Sequence, residues 1–217
     1  MNNPIESRKH ESQRYQLKVL AHFIGVLPLV LLIGDYVRGE LGFNPIEAAT
    51  RRTGRTAVIF LILSLASTPV RRLFSLRIVG FLRKPFGLYA ALYAVLHFAA
   101  FAIWDFGLDF GLIWAEIRSK PFIIVGAIAL LILVVLAATS FRRWQRDWGR
   151  KWVKLHRLTY LAGILAIAHY LLAVKGNLLT LEGNYTLPLI LAVILIILLV
   201  LRLPIVMRVL RGERKGK

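Results

Sequence analysis

The sequence predicts an all-α protein, a six-helix transmembrane bundle with both termini cytoplasmic. Three observations carry this expectation. Hydrophobic residues make up 58% of the 217-residue chain, above the share usual in soluble domains. They are gathered into blocks long enough to cross a bilayer. Lys and Arg fall mostly between alternate blocks, as membrane orientation requires. Lipid-facing backbone must find its hydrogen-bond partners within its own segment. The blocks lack the period-two alternation of a membrane barrel, so helices are expected.

Six blocks follow in order: 17–37, 54–68, 86–104, 121–139, 153–174 and 187–203. The first contains Pro28, which is expected to bend it. The second, around "VIFLILSLAS", is short and takes Gly54–Ala57 as its first turn. The third follows Pro85, and the fourth opens on Pro121; proline suits a helix start because its missing N–H has no partner there anyway. The fourth block, "PFIIVGAIALLILVVLAAT", spans the ~30 Å hydrocarbon core at ~1.5 Å per residue. The fifth carries two histidines. The sixth, "LPLILAVILIILLVL" with Pro188 near its start, is nearly pure hydrocarbon.

Charge sets the orientation. With the N-terminus inside, 22 of the 29 Lys and Arg lie on the inner side. The outer side receives Arg38, Arg51, Arg52, Arg55, Arg118, Lys120 and Lys175. The formal charge of +18 is then accounted for by orientation and anionic lipid, and no nucleic-acid partner is expected. The inner loop "SFRRWQRDWGRKWVK" interleaves tryptophan with basic residues, as an interfacial anchor does. One domain is expected, with a cytoplasmic tail at 1–16, a membrane domain at 17–204 and a basic cytoplasmic tail at 205–217. No internal repeat is evident. Charged residues continue to Lys18, unlike a cleaved signal peptide.

Chemistry-bearing residues are few. The absence of cysteine excludes disulfides and thiolate metal centres. His97 lies 12 residues after Pro85, roughly 18 Å from the inner side. His169 lies 17 residues after Trp152, roughly 25 Å up a helix of the same direction. Two imidazoles at matched depth on facing helices can bracket one haem iron. Small neighbours (Ala94, Gly163, Ala166) and aromatics (Tyr89, Tyr93, Phe98, Tyr160) would line such a site. The other reading is that both histidines bond to neighbouring carbonyls or side chains, in a non-redox scaffold or transporter. Zinc is disfavoured, since no Cys, Asp or Glu shares that depth. His156 stays near the inner side, where His22 has a plausible depth to meet it.

Several stretches, taken in order, carry a resemblance: "NPIEAATRRTG" at 44–54, "LASTPVRR" at 65–72, "RKPFGLYAALYAVLHF" at 83–98, "RSKPFIIVG" at 118–126, and "WGRKWVKLHRLTYL" at 148–161 followed by His169. With them the chain resembles the MsrQ haem-binding membrane subunits, within the ferric reductase-like transmembrane group. The resemblance implies a multi-pass protein of the bacterial inner membrane, with haem b held by His97 and His169. His156 matches a further inner cofactor-binding histidine, and FMN and a second haem are implied alternatives there. It also implies electrons from membrane quinol or a cytosolic flavin reductase, passed to a periplasmic MsrP-like molybdopterin reductase. The chain would then be an electron-transfer component rather than a complete enzyme. Lys84, 13 residues before His97, stands where the wider group often has another histidine. No glycine-rich dinucleotide pattern is present, so the donor is expected to be separate. Arg71, Arg72, Arg83, Lys84, Arg142 and Arg143 are candidate contacts to lipid or to a flavin phosphate.

Overall fold

Asn44 and Pro45 start the helix around which the bundle is built. The Asn44 side chain accepts from the Glu47 amide at 3.0 Å, and Pro45 takes the first helical position. The computed structural model describes residues 4–174 and 183–206. Lys175, Glu182 and the basic tail from residue 207 lie outside them.

The described residues are helical throughout, with no strand among them. The elements are α1 (Pro4–Val37), α2 (Pro45–Leu73), α3 (Arg83–Ala99), α4 (Phe110–Ser119), α5 (Pro121–Ala138), α6 (Arg142–Trp148), α7 (Arg150–Leu155), α8 (Leu158–Ala173) and α9 (Thr186–Val200). A 3₁₀ turn (Arg77–Leu82) leads into α3, and a π turn (Ala100–Asp105) extends it outward. Five segments are long and apolar enough to cross a membrane: Glu11–Val37, Pro45–Leu73, Ile78–Asp105, Pro121–Ala138 and Arg150–Ala173. The apolar helix α9, at 15 residues, is shorter.

Three sequence expectations change. The second block is not a short helix starting near residue 54, because the Asn44 cap moves its start to Pro45. The fifth block is not continuous, since a turn at His156–Arg157 separates α7 from α8. Gly149, at φ 44° and ψ −112°, separates α6 from α7 in a conformation that side chains resist. The outer connection that reads as a loop contains α4, capped by the Asp109 carboxylate on the amides of Gly111 and Leu112.

Small residues bring the helices together, as packing in lipid demands. Ala90 and Ala162 are fully buried, and Gly163 sits against Leu65 and Leu195. Phe60 stacks on Tyr93, with centroids 5.6 Å apart and planes 11° from parallel. The Tyr93 hydroxyl donates to the Gly25 carbonyl at 2.8 Å, and the Tyr89 ring covers Gly25, seating α1 on α3. At the C-terminal end of α1, Asp35 pairs with Arg38 and with Arg52 of α2.

Pro69 lies inside α2 and cannot donate to the Leu65 carbonyl four residues back. Arg202, just after α9, fills that vacancy: its guanidinium donates to the Leu65 carbonyl at 2.5 Å and to the Tyr160 hydroxyl at 2.5 Å. One side chain thereby ties α9 to both α2 and α8.

The structure also contains a repeat that is not evident in the sequence. Hairpin α2/α3 and hairpin α5/α8 are each a tightly packed pair, and α3 packs on α5 between them. A shift of 72 residues carries Gly54 onto Gly126, Ala90 onto Ala162 and His97 onto His169. Hydrogen bonds repeat as well. Ser67 donates to the Leu63 carbonyl and its equivalent Thr139 to the Val135 carbonyl.

Candidate functional site

His97 near the C-terminal end of α3 and His169 on α8 meet within the bundle. Their ring centroids are 6.0 Å apart and their planes 76° from parallel. Both side chains are partly buried.

Each ring is fixed from behind. His97 Nδ1 lies 2.8 Å from the Thr50 carbonyl and His169 Nδ1 lies 2.9 Å from the Phe122 carbonyl. A carbonyl only accepts, so Nδ1 carries the proton and donates in both rings. That assigns the tautomer: Nε2 keeps its lone pair, the state a metal ligand needs. The two bonds are repeat-equivalent, with the same separation of 47 residues from histidine to carbonyl.

Glycine makes this approach possible. A Cβ on Gly54 would come within 2.8 Å of His97 Nδ1, and one on Gly126 within 2.6 Å of His169 Nδ1. Any side chain at either position would displace the ring. Sequence reasoning missed Gly54, Gly126, Thr50 and Phe122. The only available signal was that each glycine lies four residues after the residue supplying the carbonyl, at one spacing in both halves.

Two imidazoles bound through Nε2 to one metal, at about 2.0–2.1 Å each, stand with centroids roughly 6 Å apart. The observed centroid separation of 6.0 Å is close to that value. Among the described residues no group of three or more His, Cys, Asp or Glu could hold a bare ion. A pair suits a metal whose other four positions are already filled by a macrocycle. Beside the pair, the Thr50 hydroxyl is buried without a partner among the described residues.

Other expected residues have further partners. Tyr93 is in the α2/α3 packing, Tyr160 lies under the Arg202 guanidinium at 4.7 Å, and Gly163 packs on leucines. His156 caps α7 instead of sitting within a helix, because the chain turns there. Its ring stacks on Trp152 at 3.9 Å, and its Nε2 lies 3.3 Å from the Thr139 hydroxyl. His22 does not meet His156: its Nδ1 pairs with the Tyr89 hydroxyl at 3.0 Å.

Residues 53–167 match the family described as "Ferric reductase like transmembrane component". The chain is 42% identical over 206 residues to the "Protein-methionine-sulfoxide reductase heme-binding subunit MsrQ" of Rhodospirillum rubrum, covering 94% of each chain. It is 45% identical over 156 residues to the protein of the same name from Deinococcus radiodurans, covering 70% of this chain and 76% of that one.

Proposed function

The chain belongs to the MsrQ family of ferric reductase-like transmembrane components, and on that premise we propose that it carries electrons across the bacterial inner membrane to a periplasmic methionine sulfoxide reductase. The observation that supports this best is the His97–His169 pair, with both Nδ1 atoms tied to backbone carbonyls. His97 and His169 would hold a b-type haem. When bound, the haem would supply one-electron exchange. The Thr50 and Phe122 carbonyls hold the imidazoles in their ligand tautomer.

Electrons arrive from membrane quinol or a cytosolic flavin reductase. His156 contributes to cofactor binding at the inner end, with FMN or a second haem as its partner. The acceptor is an MsrP-like molybdopterin enzyme. Reducing a sulfoxide consumes two electrons and two protons and yields a thioether and water, so the acceptor must collect successive single electrons. This chain is therefore an electron-transfer component rather than a complete enzyme. Six spans with both termini cytoplasmic complete the reading, α9 being the sixth.

Absorption spectra of protein purified with adequate haem supply test this directly. A Soret band at stoichiometric haem, lost as a low-spin species in His97→Ala and His169→Ala, is expected. Stoichiometric low-spin haem in both variants would remove the assigned pair, and haem-free wild-type protein would remove the redox reading.

A further inference from the structure

The electron-transfer reading leaves α4 without a role. This helix lies at the histidine end of the bundle. His97 stands just before the π turn Ala100–Asp105 that leads toward it, and Pro121 opens α5 directly after Lys120. Between the π turn and α4 the chain passes through Gly107 and Leu108, at φ 55° and 63°. Left-handed backbone is unfavourable for leucine. Two amide bonds hold it there, Gly107 to the Ile103 carbonyl at 2.9 Å and Leu108 to the Ala102 carbonyl at 2.8 Å. The next residue, Asp109, caps α4, which packs on α5.

A helix of 10 residues is marginal in water without packing. The bundle supplies little, since Ile113 alone among the residues of α4 is buried. Phe110, Ile113, Trp114 and Ile117 follow the i, i+3, i+4, i+7 spacing of one apolar stripe. Half of that stripe has no cover from the protein: Phe110 is 78% exposed and Trp114 55%. Gly111, Ala115 and Ser119 mark the other face. The charges of α4 are already matched, because Lys120 pairs with Glu116 and the Arg118 guanidinium lies 5.3 Å over the Trp114 ring.

Continuity identifies what covers the stripe. Ile103 and Trp104 before α4, and Ile124 and Ile128 after it, are exposed apolar residues on segments able to cross a membrane. The connection between α1 and α2, which reaches the same end through Thr50 and His97, differs: it exposes the charged side chains of Arg38 and Glu40. A tryptophan with a cation beside it suits the headgroup level. We propose that α4 is an interfacial helix seated in the lipid surface, with Phe110 and Trp114 reaching the acyl chains and Arg118 at the phosphates. In the orientation proposed above this is the outer leaflet. The seating itself depends neither on that orientation nor on haem.

The chain has no cysteine, so single-cysteine variants of the full-length protein take one spin label each. The labels go at Phe110→Cys, Trp114→Cys and Ala115→Cys, with Leu131→Cys, exposed in the middle of α5, as the hydrocarbon reference. The protein is placed in nanodiscs of phosphatidylethanolamine and phosphatidylglycerol. Collision with oxygen, which enters lipid, is compared with collision with a water-soluble nickel chelate. Labels at 110 and 114 are expected about 5–10 Å below the phosphates, as for an interfacial helix. The label at 115 is expected nearer to water, and the one at 131 deeper than all three. Equal depth at 110, 114 and 115 overturns the proposal. So does free access of the chelate to 110 and 114, which would place the stripe in water. Shielding of both positions from oxygen and chelate alike also overturns it, because a protein surface such as a second copy would then be the cover. If Trp114→Cys lowers protein yield, the comparison of Phe110→Cys with Ala115→Cys decides the question.

Discussion

A carbonyl behind each imidazole decides what His97 and His169 can do. Without the Thr50 and Phe122 carbonyls, each ring could protonate at either nitrogen and rotate; with them, Nε2 is free and aimed away from the bond. Glycines 54 and 126 allow this geometry by leaving room for the ring. Gly126→Ala would place a methyl 2.6 Å from His169 Nδ1. The ring must move and its bond to Phe122 must lengthen. Disturbing such a supporting bond typically costs about 10–100-fold in metal affinity. The expected result is haem loss from purified Gly126→Ala at unchanged protein yield, read as the ratio of Soret to protein absorbance. Full haem occupancy with an unaltered low-spin signal would show that the ring tolerates the methyl.

Helices in lipid gain little from apolar burial against one another, so specific polar contacts matter more at this scale. The Arg202 link is the clearest case. Pro69 leaves the Leu65 carbonyl without its helical donor, and Arg202 donates to it from beyond α9. Hydrogen bonds from a charged donor contribute about 1.5–3 kcal/mol each. Arg202→Met should therefore lower the unfolding temperature in detergent. In a Pro69→Ala background the Leu65 carbonyl regains a backbone donor, and the same Arg202→Met change should cost less. A double-mutant cycle reads this coupling. Additive effects would mean that Arg202 acts through Tyr160 or the membrane surface and not through the proline gap.

For the whole molecule, charge and repeat together set direction. In the proposed orientation both hairpins run outward to inward and back, so both histidines reach one level and the basic loops collect at the other. Reporter fusions at residues 40 and 112 should report the outer side, and fusions at 78 and 147 the inner side. The opposite pattern would reverse the proposed direction of electron flow. Function should also divide between chains. Reduced protein in vesicles is expected not to reduce methionine sulfoxide alone, and to be reoxidised rapidly once a matching molybdopterin reductase and sulfoxide are both present. Stopped-flow absorption at the haem band follows this. Fast sulfoxide-dependent reoxidation without the partner would overturn the division of labour.

Hydrophobic blocks, basic loops and the depths of His97 and His169 were all legible in the chain, because each depends on residue type and position along one segment. Span length follows from a run of apolar residues. The similar depth of the two histidines follows from counting residues up parallel helices. What the tertiary structure decided is everything set by rotation of one helix against another. Only packing brings the Thr50 carbonyl behind His97 and the Phe122 carbonyl behind His169, 47 residues away in each case. Only packing gives Gly54 and Gly126 their purpose and brings Lys84 and His156 to one cavity. The repeat was hidden for a related reason. Lipid-facing positions accept almost any apolar side chain, so the two hairpins agree in sequence at only a few contact positions. The turn at His156 and the cap at Asn44 depend on local polar bonds that hydrophobicity does not record, and these moved the ends of the helices that the apolar blocks had placed.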